Sequence, residues 1–281
     1  MTNDEKITGI FDSHAHYSDG RFAREYEGGA EALLATICPE PVSDILNVGT
    51  NLENARAVLE QAAKHTGMYS AIGIHPEDAH AYTDEEQALA SLEALLRDPK
   101  NRAVGKLVAL GEIGLDYHTD EFIEGKLDKA KEMRFFEAQL ELAKKYDLPV
   151  IIHDRDAHGD CFETILRHPG VRGVFHSYSG SAEMAKELLR RGFFISFSGT
   201  LTFRNAEGVR RVASSIPRDK LLIETDAPYL APHPYRGSLN HSGMLLYTLG
   251  TLAELWGCSL QEAADQTAKN AKSLFFSEKT V

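Results

Sequence analysis

Cysteine is scarce in this 281-residue chain, which holds three, Cys38, Cys161 and Cys258. They are widely spaced, odd in number and form no Cys-x-x-Cys, so the sequence indicates neither a disulfide framework nor a thiolate zinc site. A reducing cytoplasm is the expected compartment. No apolar run approaches the roughly 20 residues that cross a bilayer. Met1 to Lys6 is polar, without an apolar core behind a basic start, so neither membrane insertion nor export is expected. Positive charge is in deficit: 30 Lys and Arg against 42 Asp and Glu leave a formal charge of −12. A protein that coats duplex nucleic acid through a broad basic surface is thereby disfavoured, because such binding rests on many cationic contacts to phosphate. An anionic substrate would need a locally positive pocket. Phosphate-cradling glycine loops are also missing. Gly28-Gly29 lacks the strand-turn-helix context and no Lys-Ser or Lys-Thr follows, so no nucleotide cofactor is expected. Ser13, Ser177 and Ser198 stand in no Gly-x-Ser-x-Gly elbow, which speaks against a serine hydrolase.

What the chain does contain is alternation. Apolar residues make up 43% of it, enough for a sizeable core. Eight short Val/Ile/Leu/Phe-rich runs recur between longer segments of helical spacing. They are Ile7 to His16, Asp44 to Gly49, Met68 to His75, Leu107 to Leu115, Pro149 to Asp154, Gly173 to Ser179, Phe193 to Gly199 and Leu221 to Asp226. Asn51 opens a helix over Leu52 to His65, with Gly67 beyond its end. Thr83 and Glu86 form a candidate capping box for the segment ending before Pro99. The longest helix spans Leu127 to Tyr146, just before Pro149. Eight strands alternating with helices point to a (β/α)8 TIM barrel, a single domain over residues 1–281, although a doubly wound open sheet shares the alternation. The part after Asn240 reads as helices covering the barrel.

Polar residues supply the functional signal. Phe11-Asp12-Ser13-His14-Ala15-His16 places two imidazoles two residues apart, on one face if the stretch is a strand. Alone, the pair reads more readily as two ordinary hydrogen-bonded histidines than as a metal site. In a barrel, however, catalytic residues gather at the C-terminal strand ends. There lie His14 and His16 (first strand), Glu112 (fourth), His153 (fifth), His176 (sixth) and Asp226 (eighth). Four nitrogen and two carboxylate donors are metal ligands in composition. Six donors suit two divalent ions better than one, with Glu112 as the candidate bridge. Such a pair polarises a phosphoryl or carbonyl oxygen and activates water, which is hydrolytic chemistry. Asp226 is the candidate proton acceptor and, with Glu112, the candidate catalytic residue. Zn, Mn, Fe or Ni match the imidazoles better than Mg does, although availability in the cell often decides. Strand alternation would turn Arg155 toward the face of His153, Tyr178 toward that of His176 and Glu224 toward that of Asp226. Arg155, His75 and Tyr178 are candidate substrate contacts. Each also has a structural reading: an ion pair with Asp154 or Asp156, a turn before Pro76, and a core cap.

Seven ordered segments resemble the TatD-type metal-dependent deoxyribonucleases of the amidohydrolase superfamily. They are Asp12-Ser-His-Ala-His16, Gly73-Ile-His-Pro76, Gly111-Glu-Ile-Gly-Leu-Asp-Tyr117, His153-Asp-Arg-Asp-Ala157, His176-Ser-Tyr-Ser-Gly180, Ser198-Gly-Thr-Leu-Thr-Phe203 and Glu224-Thr-Asp-Ala-Pro-Tyr229. The resemblance implies a (β/α)8 barrel in which His14, His16, Glu112 and Asp226 hold one ion while Glu112, His153 and His176 hold the other. It implies metal-dependent hydrolysis of DNA phosphodiesters, commonly from the 3′ end of single strands. The chain departs where the family usually reads Arg-Gly-Lys-x-Asn-x-Pro. Here Arg236-Gly-Ser-Leu-Asn-His241 keeps Arg236, a candidate phosphate contact, and loses the lysine and the proline. That loss keeps open another ester, lactone or amide, or an aminoacyl ester of transfer RNA, as the bond hydrolysed. A metal-holding barrel that binds a partner without turnover would need the same ligands.

Overall fold

The computed structural model describes residues 7–119 and 127–276, so the polar stretch Met1 to Lys6 lies outside it. Eight parallel strands pair in sequence order. They are β1 (Ile10–Ala15), β2 (Val42–Val48), β3 (Met68–Ile72), β4 (Leu107–Asp116), β5 (Val150–Arg155), β6 (Gly173–Phe175), β7 (Phe194–Phe197) and β8 (Leu221–Ile223). A parallel bridge between Ala15 and Ala227 joins the chain after β8 to β1. His16 N donates to Ala227 O at 2.7 Å and Asp226 N to His14 O at 2.9 Å, so the ring of strands closes at the end that carries the histidines. This is the expected TIM barrel.

Alternation along the strands sorts their apolar residues into two layers. Phe11, Leu46, Ala71, Ala109, Ile151, Val174, Phe194 and Leu222, one from each strand, belong to one cluster. Their neighbours Ile10, Ile45, Ile72, Leu110, Ile152, Phe175, Ile195 and Leu221 belong to the other, together with Val58, Phe136 and Leu140 of the surrounding helices. The first layer fills the barrel and the second seats the helices on it, as the period of two in a closed parallel sheet requires. The C-terminal helix Leu260–Phe275 adds Ala268, Ala271, Leu274 and Phe275 to the inner layer, and Phe275 stacks on Phe11 with ring centroids 6.2 Å apart. That helix plugs the barrel at the end opposite the histidines and so bears out the covering role expected after Asn240.

Helix caps follow from local chemistry. Asn51 and Asn54 form a reciprocal capping box on Leu52–Lys64. Helix Glu85–Arg97 is capped by Asp84, whose side chain accepts from Gln87 N, rather than by Thr83; a carboxylate one residue closer is the stronger acceptor. Helix Lys129–Tyr146 is opened by Asp128.

Strands 3, 6 and 8 end earlier than their apolar runs suggest. His75, His176 and Asp226 sit just beyond them, where the chain has left the ladder. Ser177 (φ 40°) and Asp226 (φ 57°) occupy the left-handed region, which costs roughly 1–3 kcal/mol per residue unless the surroundings impose it. At Asp226 the bonds of Asp226 N and His16 N across the closing seam impose it. Gly114 (φ 146°) has the opposite reason: any Cβ there would strike the His153 backbone on β5. Only glycine lets β4 approach that closely.

Candidate metal centre and active site

The C-terminal mouth of the barrel brings together all six residues singled out as ligands. Glu112 is central and 3% exposed. Its Oε1 lies 2.7 Å from His153 Nδ1, 2.7 Å from His176 Nε2 and 3.5 Å from His75 Nε2. Its Oε2 lies 3.4 Å from His14 Nε2 and 3.5 Å from His16 Nε2. Asp226 Oδ1 completes the second side, 3.3 Å from His16 Nε2 and 3.6 Å from His14 Nε2. The two inner nitrogens of the His-x-His pair are 3.0 Å apart.

The outer nitrogens explain why the inner ones are available. His16 Nδ1 lies 2.9 Å from Val48 O, a carbonyl that only accepts, so that nitrogen carries the proton. His153 Nε2 likewise donates to Asp116 Oδ2 at 2.9 Å, and His176 Nδ1 to Glu224 Oε1 at 3.1 Å. Three rings are thus held with a lone pair facing the centre, the arrangement a metal-ligating imidazole needs. His14 Nδ1 is buried without a partner, and its Nε2 joins the others. Donor atoms in three overlapping triads, His14/His176/Asp226, His14/His16/Glu112 and His75/Glu112/His153, lie within 4.8 Å of one another. Lone pairs facing carboxylate oxygens at these distances require a cation between them, and mixed imidazole and carboxylate donors fit a divalent transition metal.

Without a metal, protons must take that place. Burial lowers the affinity of His16 for a proton, but the bond to Asp226 and the charges of Glu112 and Asp226 outweigh it and lift its pKa to about 9. At His153 burial is likewise outweighed, by Asp116 and Glu112, again to about 9. His176 is raised and His14 is lowered; at His14 burial and the neighbouring imidazoles prevail. Burial alone would raise Glu112, yet the surrounding imidazoles hold its carboxyl well below the usual range.

His75 behaves differently from His14, His16, His153 and His176. Its Nδ1 accepts from Glu77 N at 3.2 Å. The proton therefore sits on Nε2, and His75 presents a donor to the cavity rather than a lone pair. That suits the substrate contact expected of it. Arg155, the last residue of β5, lines the same cavity with its side chain half exposed and pairs with neither Asp154 nor Asp156. Its Nη1 is 3.8 Å from Asp116 Oδ2. Tyr178 also lines the cavity, but the alternation invoked for it fails because Ser177 turns the chain. Tyr178 is 3% exposed and its hydroxyl donates to Ser181 O at 2.7 Å. Arg236 is the residue that the fold moves away from its expected place. It is exposed, is absent from the cavity wall, and lies with its guanidinium 4.2 Å over the Phe203 ring. The cause is Asn240, fully buried, which donates to Thr225 O and Tyr229 O. With Asn240 N on Pro228 O, this pins both ends of the intervening loop and turns its tip outward.

Two supporting residues carry no signal of their own in the sequence. Asp116 orients His153 although it reads as one acid among many, and its only clue is its place in Gly111 to Tyr117. Glu132, from helix Lys129–Tyr146, accepts from Asp116 N at 2.9 Å and fixes that carboxylate in turn. Glu224 was placed with Asp226 by alternation; it accepts from Ser177 N at 2.8 Å as well as from His176. Removing such a partner from a metal-ligating histidine typically costs about 10- to 100-fold in metal affinity or activity. Asp116→Ala is expected to do so here, read by metal titration of the purified variant; an unchanged metal affinity and rate would show that His153 needs no anchor.

The cavity above this cluster measures about 700 Å³, which fits one small ligand or the end of a longer one. A parallel eight-stranded barrel with a histidine and carboxylate cluster at its C-terminal mouth defines the class, a metal-dependent hydrolase of TIM-barrel fold. The chain belongs to the TatD-related DNase family, whose model matches residues 11–276. It is 39% identical over 269 residues to the uncharacterized metal-dependent hydrolase YabD of Bacillus subtilis, covering 95% of this chain and 98% of that one. It is 35% identical over 272 residues to the uncharacterized metal-dependent hydrolase YcfH of Escherichia coli K12, covering 95% of each. Among solved structures it resembles YjjV, a TatD homologue from Escherichia coli K12, with a TM-score of 0.84 and 31% identity over 97% of this chain and 100% of that one. No helix among the described residues is long and apolar enough to cross a membrane.

Proposed function

We propose that this hydrolase cleaves DNA phosphodiesters at the 3′ end of single strands, using two divalent ions. His14, His16, Glu112 and Asp226 would hold one ion, and Glu112, His153 and His176 the other. When bound, such ions supply Lewis-acid polarisation and charge neutralisation at the reacting phosphate. The observation that carries the metal-centre reading is the set of three imidazoles whose outer protons are committed to Val48 O, Asp116 and Glu224, leaving their inner nitrogens free around Glu112. The family to which the chain belongs supports the phosphodiester.

The chain's own groups divide the remaining work. Asp226, held in place by the closing seam of the barrel, is the proton acceptor for attacking water. The Arg155 guanidinium and the His75 Nε2–H face the cavity and are available to phosphate oxygens. With Arg236 turned outward, steadying the phosphate falls to these two.

Elemental analysis for Zn, Mn, Mg, Fe and Ni, followed by turnover of 3′-labelled single-stranded DNA against lactone and aminoacyl-tRNA substrates, tests the reading. Cleavage of the DNA that chelator abolishes and added manganese or magnesium restores is expected. Hydrolysis of only the lactone or the aminoacyl ester would overturn the substrate while keeping the centre. No hydrolysis of any of them would leave a metal-holding barrel that binds without turnover.

A further inference from the structure

The cavity wall has an unusual charge balance for a nucleic-acid enzyme. Among the described residues it carries, beyond the six clustered donors, Asp19, Glu77, Asp78, Asp116 and Asp154, with Arg155 the one Lys or Arg in its lining. A polynucleotide held along its backbone would meet mostly carboxylates, so affinity for more than the scissile phosphate must come from another source.

Tyr229 supplies one. It lines the cavity, is 44% exposed, and its ring centroid lies 6.5 Å from that of His16. An exposed aromatic side chain normally gains little by being fixed, yet this one is braced at every point. Its hydroxyl donates to Asp19 Oδ2 at 2.6 Å, and its backbone N donates to Asp226 O at 2.8 Å. Its carbonyl accepts from the buried Asn240, and the Arg21 guanidinium lies 5.5 Å from the ring centroid. Arg21 is itself held by two bonds to Glu25, at 2.8 and 3.1 Å. A flat π surface immobilised beside the reacting centre costs little further ordering when a ligand stacks on it.

Resting on the phosphodiesterase reading, we propose that Tyr229 is a stacking platform for the nucleobase next to the scissile phosphate. Substrates are then selected by an unstacked terminal base rather than by backbone charge. A base inside a duplex is already stacked and is not offered to the ring, so the platform admits single-stranded or frayed ends.

Steady-state kinetics of the metal-loaded enzyme on a single-stranded oligonucleotide test this. Tyr229→Ala is expected to raise KM at least about fivefold, the range of one lost base stack, while Tyr229→Phe, which keeps the ring and loses only the bond to Asp19, raises it less than Tyr229→Ala does. An oligonucleotide whose 3′-terminal residues are abasic should show the raised KM on the wild-type enzyme and no further rise on Tyr229→Ala. The slope of log kcat/KM against log salt should be shallower than about −2, corresponding to fewer than about three phosphate contacts. Equal KM values for wild type and Tyr229→Ala, or for normal and abasic substrate, would overturn the platform while leaving the phosphodiesterase reading intact. A wild-type enzyme that hydrolyses a lactone or aminoacyl ester but no oligonucleotide would overturn both.

Discussion

Asp226→Asn is expected to leave a folded barrel whose hydrolytic rate is less than about a hundredth of wild type. Two features of the position separate the chemical effect from a structural one. Asparagine has the shape of aspartate and tolerates the left-handed φ of 57° that this residue adopts. The backbone bonds that close the barrel, Asp226 N to His14 O and His16 N to Ala227 O, do not involve its side chain. What is lost is the negative charge facing His14 and His16, and with it a proton acceptor at the reacting centre. Circular dichroism and a melting curve would check the fold, and turnover the chemistry. Near-normal turnover would remove Asp226 from the mechanism.

The second large effect concerns metal removal and pH. His16 and His153 have pKa values near 9 in the folded metal-free protein against 6.5 unperturbed. A folded-state value above the unfolded one means that the native state binds the proton more tightly. The resulting stability is fully present below about pH 6.5 and is lost as pH rises through 9. Both side chains are no more than 15% exposed, so solvent screens the effect little. Stability lost over that window is on the order of a few kcal/mol, or roughly 5 °C or more in Tm for a chain of this size. The carboxyl groups move in the opposite sense. Glu112 and Asp226 are depressed, so their contribution is lost only as pH falls into the acid range. The chelated protein should therefore lose Tm steadily from pH 6.5 to 9. The metal-loaded protein should hold it, because ions replace the protons and bind more tightly as fewer protons need displacing. A melting temperature of the chelated protein that is flat over that range would show that His16 and His153 hold no such protons.

Both predictions rest on a cluster whose members are legible in the sequence through the strand-end register they share. His14, Glu112, His153, His176 and Asp226 each follow a buried apolar run, and strand periodicity places them at one end of the barrel without reference to any distant residue. The fold was legible for the same reason. Alternation between short strands and amphipathic helices is a local pattern, and the division of Phe11 from Ile10 or Ala71 from Ile72 between inner and outer layers repeats it residue by residue. Periodicity gave out where strands ended. Tyr178 was read as continuing the alternation of His176, but the positive φ of Ser177 breaks it, and no pattern of apolar residues announces such a turn.

Sequence by itself determined the alternation of eight strands with helices, the identity of the six donors at the strand ends and the hydrolytic chemistry they suit, because these follow from residue type and short-range spacing; closure of the strands into a barrel is seen in the bridge from Ala15 to Ala227. Tertiary structure alone decided which nitrogen of each histidine is free. The anchors of His16, His153 and His176 lie 32, 37 and 48 residues away along the chain, and nothing local encodes a contact at that separation. It also decided that Arg236 stands clear of the cavity while Tyr229 lines it. Both belong to one loop after β8, and the buried Asn240 amide that gathers the ends of that loop sets which of its residues faces the histidine and carboxylate cluster and which faces solvent.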